Sequence, residues 1–140
     1  MQIDTCKLEI ATASAAIAEG RLSPLDLTEA CLQRISAEHD QLCAFITVLP
    51  DSARHEAAAA AARAKARRRL GPLDGIPLAV KDVLALAGAP TTAGSRVLAD
   101  FVPEADCPAV AALRRAGAVI VGKTNMHEFA YGVTSNNPYY

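Results

Sequence analysis

The 140-residue chain has the composition of an ordinary globular protein, with 51% hydrophobic and 21% charged residues. This length suffices for one hydrophobic core and predicts a single domain. A net charge of -1 excludes the strong positive field that holds nucleic acid or an anionic membrane surface. We therefore expect small-molecule or protein partners, with no direct nucleic acid binding and no membrane association.

The four cysteines indicate neither a disulfide framework nor a metal site. They form no CxxC pair, and no cysteine–histidine cluster has the spacing of a zinc site. The N-terminus lacks a basic segment followed by a long apolar one, and no apolar run reaches membrane-spanning length. Reduced thiols, no metal and a cytoplasmic location are expected.

Local signals predict that residues 1–70 are mainly helical. Ala, Leu and Ile recur at helical spacing over residues 7–19, and Gly20 ends that segment. Ser23 followed by Pro24 is typical of an N-cap with proline at the first helical position. A second helix is therefore expected to begin at this pair.

A strand and a third helix are predicted next. Residues 43–50, CAFITVLP, have the composition of a strand, and Asp51 is expected to cap an alanine-rich helix. That helix ends in a basic run over residues 63–69. A solvated last turn, whose cations complement the helix dipole, is favoured here over a site for an acidic partner.

Residues 71–140 have the pattern of an α/β structure. Glycine and proline residues over 71–77 lead into the apolar run GIPLAVKDV, and the loop-like GAPTTAGS follows. A helix is predicted from Asp106 and Pro108 to Gly117. The continuous apolar run AVIVG, residues 118–122, is typical of a strand in a covered sheet. A helix followed by a buried strand predicts α/β layers.

Lys81 lies in an apolar run, where a charged side chain must be paired, neutralised or directed into a cavity. Because side chains alternate along a strand, Lys81 and Asp82 should point to opposite faces. A lysine that burial keeps neutral can act as the general base for a serine nucleophile. Spacing alone favours the simpler alternative, a lysine that reaches solvent from the strand end.

Residues 117–124, GAVIVGKT, match the phosphate-binding pattern GxxxxGK[ST]. A phosphate-binding loop needs a strand before its first glycine and flexible residues between its glycines. Here a predicted helix comes first, and the residues between the glycines are stiff strand formers. Nucleotide binding is therefore the least favoured of the functions considered.

The second half of the chain resembles the amidase signature family of serine hydrolases. The runs GPLDGIPLAVKDVLALAGAPTTAGSRVL and LRRAGAVIVGKTNMHEFAYGVTSNNP carry the likeness, over residues 71–140. The resemblance implies a mixed β-sheet covered by helices, of which this chain has only the N-terminal part. Residues 1–70 would then be the helical beginning, and residues 71–140 the start of the α/β core, of one amidase domain.

The same resemblance implies a catalytic mechanism. The family hydrolyses carboxylic amides with a lysine, a serine in a cis peptide bond and a nucleophilic serine, and uses no metal or organic cofactor. Lys81 matches the lysine, which accepts a proton through the cis-serine from the nucleophile. The glycine/serine-rich segment that supplies both serines would follow Tyr140 and is absent from this sequence. We therefore expect no triad catalysis from these residues alone.

Two further sets of residues match the family's motifs. One set is expected to support the catalytic lysine: Asp82, Thr92, Gly94 and Ser95. The other matches a segment that runs beside the substrate cavity: Asn125, Gly132, Thr134, Ser135 and Asn136. Turn and capping roles are open alternatives for both sets.

A chain without the downstream strands should have exposed sheet edges along residues 76–83 and 118–122. We therefore expect marginal stability, or dependence on a partner. The resemblance implies a small amide as substrate, and either a homo-oligomer or amidotransferase-like partner subunits. A non-catalytic binding or assembly module derived from an amidase is the main alternative function.

Overall fold

The computed structural model describes residues 8–140 as a mixed α/β structure, as predicted. In chain order its elements are α1 (Ile10–Ala18), α2 (Pro24–Leu42), β1 (Phe45–Val48), α3 (Pro50–Lys65), β2 (Pro77–Lys81), α4 (Pro108–Arg115) and β3 (Val119–Thr124). The predicted start of the first helix, at Lys7, lies outside the described residues. None of the helices in this part of the chain is long and apolar enough to cross a membrane.

The N-caps of α2 and α3 differ from each other. The Oγ of Ser23 accepts a hydrogen bond from the Leu25 N–H at 3.2 Å, so the predicted cap of α2 is confirmed. The predicted cap at Asp51 is wrong. Pro50 already occupies the first turn of α3, the preceding Leu49 makes no side-chain cap, and the Asp51 side chain is fully exposed. Proline, with its fixed φ, sets the start of this helix one residue earlier.

The three strands form one sheet in the order β1–β3–β2. The central strand β3 pairs antiparallel with β1 and parallel with β2, and α4 supplies the crossover between the parallel pair. The expectation of an open edge along residues 118–122 is therefore wrong, because that run lies within the paired central strand. Within residues 8–140, β2 has a strand partner on one side only.

Helices cover both faces of β3. On one face Val119 and Val121 pack against Ala53 and Ala57 of α3 and Leu32 of α2. The two alanines are fully buried, and their small side chains let α3 approach the sheet closely. On the other face Ile120 packs in a second cluster with Val80, Leu86, Ala89 and Val110. A strand covered on both faces has a continuous apolar sequence, which explains the AVIVG pattern.

The basic end of α3 is not a solvated turn, and that prediction is wrong for two of its arginines. The guanidinium of Arg63 makes hydrogen bonds of 2.6 to 3.2 Å to the buried carboxylate of Asp74. Arg69 donates to the carbonyl oxygens of Ser14 and Asp74. The chain turns back after α3, so the connection to β2 lies against these cations.

Candidate active site

Lys81 is the last residue of β2, and its side chain is exposed. The alternative favoured by spacing, a lysine that reaches solvent from the strand end, is therefore confirmed for these residues. The next residue, Asp82, is fully buried, so the two side chains lie on opposite sides as predicted. Because β2 is an edge strand, its residues are only partly covered, and a lysine at its end needs no counter-charge.

The carboxylate of Asp82 joins the end of β2 to the loop of residues 90–95. Its Oδ2 accepts hydrogen bonds from the Thr92 N–H at 2.9 Å, the Thr92 Oγ1 at 2.6 Å and the Gly94 N–H at 3.3 Å. Ser95 is also buried, but its Oγ accepts from the Val97 N–H and begins a short 3-10 turn, Arg96–Leu98. The structure therefore brings Thr92 and Gly94 to Asp82, while Ser95 bonds elsewhere.

Lys123 is a charged residue of this region that the sequence motifs did not single out for a role near Lys81. It lies in β3, and its side chain is fully buried. Its Nζ donates to the Thr91 Oγ1 at 2.7 Å and to the Pro90 carbonyl at 3.0 Å. The Asp82 Oδ1 lies 3.2 Å from Nζ, as an ion pair that lacks hydrogen-bond geometry.

Burial lowers the pKa of Lys123 from its ordinary value of 10.5, because a dry site disfavours the charged ammonium. The negative charge of Asp82 opposes that shift. A signal for this residue was present in the sequence. Lys123 continues the apolar run VIVG, and a lysine within a covered central strand requires a buried acceptor or counter-charge.

A surface cavity of about 530 Å³ lies beside the end of β3. Four of the five residues predicted to bind substrate line it: Asn125, Thr134, Ser135 and Asn136. The Asn125 Nδ2 donates to the carbonyl oxygens of Cys43 and Tyr140 at 2.9 and 3.0 Å. Gly132 is not among the lining residues and packs against the His127 ring, where a Cβ would overlap the imidazole. We refer to this space as the Asn125 cavity.

The Asn125 cavity and Lys81 lie at the same edge of the sheet. In the parallel pairing of β2 with β3, Lys81 lies opposite Thr124, and Asn125 follows directly. The carboxyl ends of parallel strands meet at one edge, which is where ligands bind in many α/β proteins. Lys81 does not line the cavity itself.

Asn137 connects the C-terminal segment to the loop of residues 90–95. Its Nδ2 donates to the Gly94 carbonyl at 2.7 Å and the Met126 carbonyl at 2.9 Å. Gly94 has φ +69°, and a Cβ there would lie 2.8 Å from the Asn137 Nδ2. Only glycine fits this contact without strain. The segment that lines the Asn125 cavity is thereby held against the loop that binds Asp82.

The interpretation of residues 117–124 as a phosphate-binding loop is wrong. Residues 119–124 are strand β3, and the ammonium of Lys123 is buried against protein acceptors. Gly117 ends α4 with φ +83°, and Gly122 lets β1 approach, since a Cβ there would lie 2.5 Å from the Thr47 carbonyl oxygen. The glycines therefore serve packing. Residues 8–140 also contain no group of three or more His, Cys, Asp or Glu side chains that could hold a metal ion.

Comparison with known proteins places the chain in a family. The Amidase family model matches residues 26–140. One component of the glutamyl-tRNA(Gln) amidotransferase of Chloroflexus aurantiacus, its A-type subunit, is 48% identical over 133 residues, which are 95% of this chain and 27% of that protein. The chain thus spans about a quarter of the length of the curated relatives it matches.

Solved structures agree in fold. A peptide amidase in complex with the competitive inhibitor chymostatin has a TM-score of 0.86 at 40% identity, with 92% of this chain and 27% of that chain covered. A structure described as an unexpected vestigial protein complex, which reveals the origins of an s-triazine catabolic enzyme, has a TM-score of 0.91 at 37% identity. It covers 95% of this chain and 29% of that one. Because the family model matches most of its residues, this chain belongs to the amidase signature family.

Proposed function

We propose that this chain forms the lysine-bearing part of an enzyme that hydrolyses carboxylic amides, with Lys81 as its general base. The observation that carries the proposal is the placement of Lys81 at the end of β2, beside the Asn125 cavity. An exposed lysine backed by an anchored Asp82 leaves its amine available to other groups. Membership of the amidase family supports the reaction type.

In the proposed reaction a serine hydroxyl attacks the amide carbonyl, and Lys81 accepts its proton through a second serine. The C–N bond then breaks, the amine or ammonia takes up a proton and leaves, and water hydrolyses the acyl-enzyme. Both serines match the family pattern only beyond residue 140, so we propose that these 140 residues have no turnover alone. A lysine acts as a base near neutral pH only where water is excluded, so we propose that further sequence covers Lys81.

A non-catalytic binding or assembly module is the second candidate function. Two comparisons favour it, since one relative is named as part of a multi-subunit enzyme and one solved structure is described as a protein complex. Exposed apolar side chains on the described surface are consistent with a covering partner, among them Val97, Phe101 and Val102. Such a module would bind its partner equally well with or without Lys81.

The test is a hybrid in which this chain replaces the matching 27% of the peptide amidase. We expect ammonia release from a peptide amide by the hybrid and none by the 140-residue chain alone. In the hybrid, Lys81→Met should lower kcat by about 10²–10⁴-fold, the range for a positioned general base. Lys65→Met removes a lysine at the end of α3, away from β2, and serves as the matched control.

Chymostatin binding reports whether each hybrid is folded, because chymostatin is a competitive inhibitor of that peptide amidase. A Lys81→Met hybrid that keeps full turnover would refute Lys81 as the base. A wild-type hybrid that binds chymostatin but releases no ammonia would favour the non-catalytic module.

A further inference from the structure

Lys123 has the largest of the fully buried side chains among residues 8–140, and its charge lies directly behind the residue that follows Lys81. In the pairing of β2 with β3, Lys123 is opposite Val80 and Thr124 is opposite Lys81. The ammonium therefore belongs to the central strand while its counter-charge, Asp82, follows the edge strand. This contact crosses from one strand to the other at the point where β2 ends.

Asp82 is held from three directions. The ammonium of Lys123 faces Oδ1, and the loop N–H groups of Thr92 and Gly94 face Oδ2. Lys123 is itself held by Thr91 and Pro90 of that loop. We call this set the Asp82 clamp; its members are Asp82, Thr91, Thr92, Gly94 and Lys123. All five members are buried, so the clamp is shielded from solvent.

The clamp determines which way Lys81 points. Adjacent side chains at a strand end lie on opposite sides, so a fixed, inward Asp82 requires an outward Lys81. The Lys81 carbonyl also accepts the Leu84 N–H at 2.9 Å, which fixes the turn just after the clamp. The main chain around Lys81 is therefore held on both sides by bonds that do not involve its amine.

Lys123 supplies the positive charge that balances Asp82. The Oδ1 of Asp82 has no hydrogen-bond donor within residues 8–140, so the ion pair with Lys123 is its compensation there. A buried carboxylate that loses its counter-charge must take up a proton or turn toward water. Either change would weaken the bonds to Thr92 and Gly94 and release the end of β2.

We propose that Lys123 is a positioning residue for Lys81, acting through Asp82 to fix the direction of the catalytic amine. This inference rests on the proposed function of Lys81 as general base. A misplacement of about 1 Å at a catalytic group can lower the rate by about 10²-fold. Lys123→Met should therefore lower kcat of the peptide amidase hybrid by about that factor and leave KM within about twofold.

The first measurement uses the 140-residue chain and needs no activity. In ¹H–¹⁵N spectra we expect Lys123→Met to shift the amide signals of Thr92 and Gly94, and Lys65→Met to leave them unchanged. The double variant Lys123→Met/Asp82→Asn removes both charges and keeps an oxygen that can accept these two N–H groups. Its Thr92 and Gly94 signals should return toward the wild-type positions.

The second measurement is the kinetics of the hybrid, and it separates positioning from a merely structural role. A structural role alone predicts lower thermal stability with unchanged kcat. A folded Lys123→Met hybrid with wild-type kcat, or a chain with unmoved Thr92 and Gly94 signals, would overturn the proposal. If Lys123→Met does not fold, Thr92→Val removes one donor to Asp82 from the loop side, and we expect it to lower kcat about tenfold with unchanged KM; unchanged kcat in that variant would overturn the proposal equally.

Failure of this inference differs from failure of the proposed function. Turnover by the wild-type hybrid that survives Lys123→Met refutes the positioning role and leaves Lys81 as the base. A chymostatin-binding wild-type hybrid without turnover refutes the proposed function and, with it, the positioning of a catalytic amine.

Discussion

Asp74→Asn should destabilise this chain strongly, because it removes the charge of a buried carboxylate and keeps its shape. Asp74 is 1% exposed and lies in the connection between α3 and β2. It accepts hydrogen bonds from the Arg63 guanidinium at 2.6 to 3.2 Å and from the Leu70 N–H at 2.9 Å. An asparagine would present an N–H₂ group to one of these donors and leave the Arg63 cation without its counter-charge.

The expected loss is about 3 kcal/mol in the free energy of unfolding. Removal of one partner from a buried ion pair destabilises by about 3–5 kcal/mol, and the lower end applies because the Arg63 side chain, 30% exposed, still reaches water. With a urea slope of about 2 kcal/mol/M, the midpoint should fall by about 1.5 M. Urea unfolding followed by far-UV circular dichroism measures this shift.

The matched control is Glu29→Gln, which removes the same kind of carboxylate from a surface pair with Arg54. The two side chains of that pair are 34% and 46% exposed, so water screens the charges, and the midpoint should move far less. Equal shifts for Asp74→Asn and Glu29→Gln would refute this reasoning, because burial is the property that ranks the two pairs.

The pH dependence has a defined sign. Burial raises the pKa of Asp74, but the hydrogen bonds from Arg63 and Leu70 and the nearby cations Arg63 and Arg69 lower it more, so the net shift is below the ordinary 3.8. Its contribution to stability is therefore complete above pH 3.8 and is lost as the pH falls through the lowered pKa. The gap between the wild type and Asp74→Asn should be constant from about pH 5 to 8 and narrow below pH 3.8.

Two further variants test the packing of the strands and the start of a helix. Gly122→Ala should destabilise by about 1–3 kcal/mol, because its Cβ would meet the Thr47 carbonyl of β1, and a urea midpoint equal to that of the wild type would contradict the close approach of these strands. Ser23→Ala should destabilise by about 1 kcal/mol through loss of the bond from Leu25, whereas Asp51→Ala should not, and thermal melts that rank them in reverse would refute the assignment of the caps.

Features set by neighbours in sequence were predictable, and features set by distant partners were not. Ser23 and Pro24 are adjacent and define the start of α2 by themselves. The role of Arg63 depends on Asp74, which approaches only because the chain turns back after α3. No local pattern around the basic run distinguishes a solvated arginine from one that binds a buried carboxylate.

The candidate site shows the same division. Thr134, Ser135 and Asn136 are consecutive, so a single motif predicted residues that line one cavity together with Asn125. The bonds from Thr92 and Gly94 to Asp82 follow from the same order of motifs. Ser95 and Gly132 lie in the matched segments, but each contacts a different local partner, and motif order carries no information about side-chain direction.

The position of each strand in the sheet explains why two lysines in similar apolar runs have different environments. Lys81 ends the edge strand β2, where one side is open, so its amine reaches solvent and remains available for chemistry. Lys123 lies in the central strand β3, covered on both faces, so its ammonium needs acceptors and a counter-charge from the protein. The same reasoning accounts for the glycine before it, since a central strand has neighbours on both sides and a small residue lets one of them approach. The letters GKT in this chain are therefore the result of sheet packing, and the order of strands, rather than the motif, determines which lysine is free to react.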